Sequence, residues 1–477
     1  MGWFIKDTIL KDKIEIQRLK LQKGNPFIEL IAPCTPADGI KILSEEEKIQ
    51  GIRFFEDSLQ ESAYTFFVPA SGSGSRMFEL FFSYLENPNP ETENKIKNVL
   101  HSIQHFAFYD LLNEVQKKQL NDQNISIKEK VKLLVTSSGI NMGAMAKGLI
   151  PFHRYAGYSL TPFQEHILQG KKIAGENVNF HFTISPETEI PLQQSFDALR
   201  KNNGISFRYV TSVQNPETDS IAFDADFNPV SDQSGKLIMR PSGHGALLEN
   251  LNDINSDYIF IRNIDNIQHQ QSSAESENTR KALAGLMHQW KNQIFEILRS
   301  NENGKDVSTK ITDLSALLDL KFPKEKLNDQ EYIHQFFNRP VRICGMVKNT
   351  GQPGGGPFWI KDEKDMLSKQ IIEKSQISAE SEHILQKATH FNPVELICSV
   401  KNYLGEKFDL LAFRNENTYC IVKKSHQGKP IQYTEEPGLW NGSMHNWITI
   451  FCEISSDCFS PVKSFEDLNH PLHQPAN

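Results

Sequence analysis

A chain of 477 residues is long enough for two or three domains around at least one large core, and 38% hydrophobic with 10% aromatic residues is a globular composition, which excludes a disordered chain. The formal net charge of -8 and a pI near 6.0 exclude a general nucleic-acid binder with a basic face, so any phosphate site must be a focused basic pocket in an acidic protein. Six cysteines at 34, 344, 398, 420, 452 and 458 form no C-x-x-C pair and indicate buried free thiols, not a zinc site or a disulfide framework.

No apolar run approaches the length of a membrane span. The opening MGWFIKDTILKDK lacks the flanks of a secretory signal, and Lys6 stands where a myristoylation signal wants Ser or Thr, so a soluble cytoplasmic protein with no membrane partner is expected. Residues 1–60 alternate charged and apolar residues at helical spacing, and Ser44 with Glu47 predicts a capped helix over SEEEKIQGIRFFEDSLQ.

The stretch Tyr64 to Leu85, YTFFVPASGSGSRMFELFFSYL, carries the most information. An aromatic and β-branched run predicts a buried strand, and a Ser/Gly turn then leads into an apolar-periodic helix. Gly72 and Gly74 permit close approach of the backbone, successive N–H groups can turn inward, and Arg76 adds a planar fork of donors that matches phosphate oxygens. No Lys-Ser or Lys-Thr follows the last glycine, so this is not a Walker loop; no third glycine follows, so it is not a clean Rossmann fingerprint. A Ser/Gly turn with no ligand is the plain alternative.

Residues 90–140, with ENKIKNVLHSIQHFAFYDLLNEVQKKQL, read as a helical insertion in which His101 and His105 are exposed or core-capping residues. Within NMGAMAKGLIPFHRYAGYSLTPFQEHIL, Lys147 lies among small residues before a Gly-Leu-Ile-Pro run that predicts a short strand, and Thr161-Pro162 opens a helix. NVNFHFTIS, LQQSFDALR and ISFRYVTSVQ follow as strand, helix, strand, the βαβ unit of a parallel sheet. His181 and Glu187 at the strand ends are read as local hydrogen-bond partners. Next, Gly243, His244 and Gly245 form a tight loop before a helix. The apolar strand Tyr258 to Ile261 then delivers Asn263, Asp265 and Asn266 to its carboxyl end, where open α/β sheets bind ligands. Asp265 is the natural ligand for Mg²⁺, which asks for one or two carboxylates completed by phosphate and water. Further on, GMVKNTGQPGGGPFWI places three glycines before Phe358-Trp359, suited either to an aromatic face for a sugar or base ring or to a structural loop over the core; Asn441-Gly442 enters a last aromatic strand, and the tail NHPLHQPAN reads as loose.

Three of these segments resemble the sugar-nucleotidyltransferases: Gly-x-Gly-x-Arg-Met after a strand, a lysine with a following Thr-Pro helix, and Pro-x-Gly-His-Gly with a strand ending in Asn-x-Asp-Asn. The last pair is similar to the UDP-sugar pyrophosphorylase branch. Departures are Ala146 in place of a proline, Ser242 in place of a glycine, and the absence of a Leu-x-Gly-Gly first loop. The combination of ATHFNPV, GGGPFW and PGLWNG also resembles a bacterial family of unknown function. The resemblance implies an α/β nucleotide-diphospho-sugar transferase fold (GT-A-like, Rossmann-like), a mostly parallel sheet flanked by helices with helical insertions and a C-terminal α+β extension. The expected organisation is an N-terminal helical segment at 1–60, an α/β core at 61–300 with its insertion at about 90–140, and a C-terminal part at 301–477 completing the sugar side. The implied reaction forms a nucleoside-diphosphate sugar from a nucleoside triphosphate, UTP favoured, and a sugar 1-phosphate, with Mg²⁺ and release of pyrophosphate. Arg76, Lys147 and Asp265 are the catalytic candidates, with Asp265 on the metal. Ala70, Ser71, Gly72, Ser73, Gly74, Ser75, Gly243, His244 and Gly245 are nucleotide-binding candidates, and Asn263, Asn266, Asn441 and Gly442 are sugar-binding candidates. A catalytically inactive nucleotide or sugar-nucleotide binding protein on the same fold is the alternative.

Overall fold

The computed structural model describes residues 2–351, 354–361 and 366–475. Gln352 and Pro353 in the glycine-rich loop and Ala476 and Asn477 of the tail lie outside the described residues. The chain divides into two compact units, each gathered from three separated segments. One comprises Met1–Ser58, Gln214–Ile259 and Leu283–Ile454; the other comprises Leu59–Val213, Phe260–Ala282 and Ser455–Asn477. The division follows packing and not chain order.

In the second unit, the strand Tyr64–Pro69 is buried along nearly its whole length, as its unbroken aromatic and β-branched run requires. It pairs in parallel with Asn179–Thr183, which pairs in parallel with Arg208–Ser212, and the helices Pro162–Ala174 and Glu189–Asn203 precede these two strands. This is the βαβ arrangement that the strand-helix-strand pattern predicts. Phe66 stacks on Phe260 at 4.5 Å and on Phe180 at 5.6 Å between ring centroids, a sheet-face ladder of the kind that stabilises neighbouring strands by about 0.5–1.5 kcal/mol per pair. Gly170 lets the helix Pro162–Ala174 settle on that ladder, because a Cβ there would lie 2.4 Å from the Phe180 ring. Thr161 caps this helix in a reciprocal box with Gln164, and Pro162 occupies the first turn, where its missing N–H costs nothing. His181 is hydrogen-bonded to the Ser212 hydroxyl at 2.7 Å, the local role expected of it.

The insertion is helical as expected, with Pro90–Ser102, Glu114–Asn121 and Ile127–Val135 capped by Asn89, Asn113 and Ser126. Their apolar faces enclose a cluster that includes Phe78, Phe81, Phe108 and, from the far end of the chain, Phe465. The short strand expected after Lys147 is instead a 3-10 turn over Lys147–Leu149, since Gly148 lies against the Phe163 ring, where a Cβ would come within 2.5 Å.

The other unit carries strands of mixed direction: Ile40–Lys41 beside Ile448–Glu453 beside Val341–Lys348, both pairings parallel, with Glu395–Ser399 and His390–Phe391 antiparallel to the last. A three-stranded antiparallel sheet of Leu30–Pro33, Gly356–Lys361 and Leu367–Ile372 belongs to the same unit, as does the hairpin Cys420–His426 with Lys429–Glu435. Here Phe358 and Trp359 point into the core, 0% and 3% exposed, so the expected aromatic ligand face is a packing face. Ser44 and Glu47 form the predicted capping box on the helix Glu45–Ser58. No helix of the described residues is long and apolar enough to cross a membrane.

Candidate active site

The glycine loop leaves the strand Tyr64–Pro69 with the Ala70 N–H bonded to the Thr183 carbonyl at 2.9 Å, which fixes the loop's start at the end of the sheet. Two further backbone bonds then tie it to the lysine segment: Gly74 N–H to Met145 O at 2.8 Å and Lys147 N–H to Gly72 O at 3.0 Å, with Ser73 opposite Ala146. Lys147 is thereby held beside the loop although about 75 positions of chain separate it from Gly72. The Gly74 N–H, counted among the inward donors on sequence grounds, is spent on this tie and is not available to a phosphate. Ser71, Gly72, Ser73, Ser75 and Arg76 are exposed, and the Ser73 and Ser75 hydroxyls are 2.9 Å apart.

The two loop glycines are not equivalent. A Cβ on Gly74 would lie 2.6 Å from the Met142 carbonyl and 2.7 Å from Ile150 Cδ1, whereas nothing lies within 4 Å of one on Gly72. Gly74→Ala is therefore expected to lower stability by about 1–3 kcal/mol by overpacking, and Gly72→Ala to shift it by less than about 1 kcal/mol. Urea denaturation midpoints of the two variants test this; equal midpoints would contradict the close approach at Gly74.

Asp265 follows the strand Tyr258–Arg262 in a turn closed by Asn266 N–H to Asn263 O at 3.1 Å. Its side chain is the meeting point of the site. Lys147 Nζ lies 2.7 Å and Lys463 Nζ 3.0 Å from the same oxygen, Oδ2. Lys463 arrives on the C-terminal segment, whose Val462 N–H donates to the Asp265 backbone carbonyl at 3.1 Å. Burial works against the carboxylate's charge, but the charges and hydrogen bonds of Lys147 and Lys463 prevail and hold the carboxyl below its ordinary range. Lys147 is shifted down as well: burial disfavours its charge, Asp265 opposes that, and the neighbouring Lys463 and Arg76 add to it. The two directions have different causes: the two ammonium groups depress the carboxyl, whereas burial depresses the lysine against the pull of that carboxyl. Arg76 acts on Lys147 as a further positive charge, so cations gather around the Asp265 carboxylate in a setting that can take an anion.

Asp265 Oδ1 is buried and has no hydrogen-bond partner. An orphaned carboxylate oxygen fits a single inner ligand of Mg²⁺, an ion that takes its remaining ligands from phosphate and water. Among the described residues no group of three or more His, Cys, Asp or Glu could hold a metal, so a preformed all-protein cage is not offered.

The remaining candidates divide between the units. Asn263 is half-buried in the Asp265 turn, but Asn266 is 1% exposed and committed to the C-terminal segment: its Oδ1 accepts the Ser460 N–H at 2.9 Å and its Nδ2 faces the Cys458 carbonyl at 3.5 Å. It is a fastening for the segment that bears Lys463. Gly243, His244, Gly245, Asn441 and Gly442 lie together in the first unit. The His244 ring stacks on Trp440 at 4.1 Å and accepts the Leu439 N–H at Nδ1, and burial pushes its pKa down to about 4. A Cβ on Gly245 would strike the Pro437 carbonyl at 2.2 Å, and one on Gly442 the Thr418 hydroxyl at 1.7 Å, so both glycines are dictated by packing. Asn441 donates Nδ2 to the Ile371 carbonyl at 2.8 Å and leaves Oδ1 buried without a partner. The buried Arg342 holds the neighbouring Trp440 carbonyl at 2.6 Å.

Sequence reasoning missed Lys463, which lies before the tail NHPLHQPAN that it read as loose and in a stretch that carries none of the motifs it used. The structure orders this part of the chain in two 3-10 turns, Phe465–Asn469, capped by Ser464 with Asp467, and Pro471–His473. That Ser-x-x-Asp spacing was the one local sign of order.

The fold is that of the sugar-nucleotide pyrophosphorylases. It matches the uridine diphosphate N-acetylglucosamine pyrophosphorylase of Trypanosoma brucei with a TM-score of 0.51 and 11% identity, over 97% of this chain and 74% of the other. An Entamoeba histolytica protein assigned as a UDP-N-acetylglucosamine pyrophosphorylase gives 0.46 and 14% identity over 92% and 85% of the two chains. At these identities the likeness is one of fold alone. No curated protein sequence matches. The chain belongs to the DUF4301 family, a domain of unknown function whose profile matches residues 3–474.

Proposed function

We propose that the protein is a nucleotidyltransferase that joins a sugar 1-phosphate to a nucleoside triphosphate. A phosphate oxygen of the sugar 1-phosphate attacks the α-phosphorus of the triphosphate in line, the bond to the β-phosphate oxygen breaks, and pyrophosphate leaves. The observation that carries this reading is the convergence of Lys147 and Lys463 on Asp265 beside the Arg76 loop, an anion site with more positive than negative charge. In the proposal, the Arg76 fork and the exposed loop of Ser71, Gly72, Ser73 and Ser75 hold the β and γ phosphates. Lys147 and Lys463 neutralise charge that develops on the α-phosphate and the departing pyrophosphate. Asp265 keeps both ammonium groups in place and would hold Mg²⁺ through Oδ1; bound there, the ion would neutralise phosphate charge. UTP is the favoured nucleotide on the resemblance carried by Pro241, Gly243, His244 and Gly245.

The test is pyrophosphate release from a panel of nucleoside triphosphates and sugar 1-phosphates with Mg²⁺. Release that needs both substrates is expected. Tight nucleotide binding without release for any pair would favour a sugar-nucleotide binding protein over an enzyme.

A further inference from the structure

Lys463 has a 64% exposed side chain on a segment without a long helix or strand, so its position depends on what fastens that segment. Upstream, Arg262 holds the Cys458 carbonyl at 2.8 Å, and Asn266 and Asp265 take the Ser460 and Val462 N–H groups. Just beyond the lysine, Phe465 N–H bonds Met77 O at 3.1 Å and its ring stacks on Phe81 at 5.1 Å. The last fastening is polar and fully buried. His473, 2% exposed, meets His153 Nε2 through Nδ1 at 2.9 Å, and His153 Nδ1 meets Glu165 Oε1 at 2.8 Å. Glu165 also accepts the Tyr155 hydroxyl at 2.5 Å and Gln270 Nε2 at 3.1 Å.

We infer that His473 is a positioning residue for Lys463, and that the buried chain Glu165–His153–His473 is an acid-sensitive latch for the C-terminal segment. The inference rests on the functional reading above for what Lys463 does, but not for the latch. The chain has one consistent direction. A carboxylate at Glu165 makes His153 donate from Nδ1, which leaves Nε2 as an acceptor, so His473 must donate from Nδ1. With both rings neutral, the bonds linking Glu165, His153 and His473 are made, and His473 Nε2 carries no hydrogen to give to the Ser460 carbonyl. A proton added at His473 Nε2 gains the Ser460 carbonyl as acceptor but places a cation among buried rings, and burial outweighs that bond.

The charged and titratable groups around the latch do not relieve this. They are Glu165 on the helix Pro162–Ala174, Tyr155 and His153 on the strand His153–Tyr155, His269 before the turn Gln270–Ser272, and His470 on the segment itself. His269 stacks on Tyr155 at 4.3 Å and points Nε2 at the Arg154 carbonyl, while the Arg154 side chain is paired with Asp110. Burial, then His153, hold the His473 pKa down to about 3, against a favourable contribution from the Ser460 carbonyl. A released histidine takes up its proton near pH 6.5. The sign follows: the docked segment is fully favoured above about pH 6.5, and release gains as pH falls from there toward the depressed folded value, by at most about tenfold per pH unit.

The test is amide hydrogen exchange over residues 460–474 of the full chain between pH 8 and pH 5.5, corrected for intrinsic rates, in the wild type, His473→Asn and His473→Ala. Wild-type protection of this segment is expected to fall about tenfold across the range while the strand Tyr64–Pro69 stays protected. His473→Asn, which supplies an amide donor that does not titrate, is expected to keep protection flat; His473→Ala is expected to lose it at every pH. The link to Lys463 is read from binding of inorganic pyrophosphate. His473→Ala is expected to weaken it by the same factor as Lys463→Met, with no further loss in the double variant, and His473→Asn is expected to restore it. Protection that does not change with pH, or that is alike in the Asn and Ala variants, overturns the latch. Unchanged pyrophosphate affinity in His473→Ala overturns the positioning role. Failure of the transfer reaction with the exchange pattern intact refutes the functional reading and leaves the latch standing.

Discussion

Lys147→Met and Lys463→Met are each expected to lower kcat for pyrophosphate release by about 10²–10³, the loss that follows removal of one preorganised donor from a developing oxyanion. The two variants differ in what else they disturb. Lys463 is 64% exposed at its side chain, so its pair with Asp265 contributes little to folding, and Lys463→Met is expected to leave the denaturation midpoint within about 1 kcal/mol of the wild type. Lys147 is 13% exposed and paired with the buried Asp265, so methionine, which preserves the stem and the backbone ties, still leaves that carboxylate one partner short and is expected to lower stability by about 1–3 kcal/mol. Arg76→Gln is expected to follow the same activity loss without a stability change, since Arg76 is exposed. Steady-state pyrophosphate release and urea denaturation on the same samples separate the two effects. Unchanged turnover in all three variants would remove the cationic cluster from the mechanism.

Asp265→Asn has the largest expected effect on folding, a loss of about 3–5 kcal/mol. Removing one member of a buried pair leaves the other charge uncompensated, and here Lys147 stays buried with Lys463 and Arg76 close to it. The pH dependence has a definite sign. The Asp265 carboxyl is depressed in the folded protein, so its contribution is fully present above the ordinary carboxylate range near pH 4 and fades as pH falls through the depressed value. The stability gap between wild type and Asp265→Asn is therefore expected to be widest at neutral pH and to narrow below about pH 4. Urea titrations from pH 3 to pH 8 measure it, and a gap that is constant over that range would show that the charge of Asp265 is not what matters.

Much of the fold follows from patterns a few residues long. The continuous aromatic run of Tyr64–Pro69 calls for a strand buried on both faces. Thr161-Pro162-x-Gln164 calls for a helix start, and alternating strand and helix periods between 179 and 212 call for a parallel βαβ unit. Each pattern is enforced by backbone hydrogen bonding and burial within its own segment, which is why it is legible there. Arg76, Lys147 and Asp265 could be nominated on residue type and position in such elements. The pairing of Lys147 with Asp265 across 118 positions, and of Lys463 with Asp265 across 198, could not.

Those meetings depend on where the chain returns after long excursions. Lys463 stands in no local motif, and it becomes part of an anion site because Asn266, Asp265 and Met77 take up the backbone of its segment. The same holds for Asn266, a ligand candidate in its own turn and a fastening once Ser460 reaches it, and for Trp359, whose glycine-rich approach suggests exposure until the sheet with Leu30–Pro33 and Leu367–Ile372 covers it. Local sequence specifies helices, strands, caps and tight turns, because their energetics are settled within a few residues. Which charges share a carboxylate, and which polar groups are left without a partner, is settled by distant segments packing together, and the chemistry of this protein resides in those contacts.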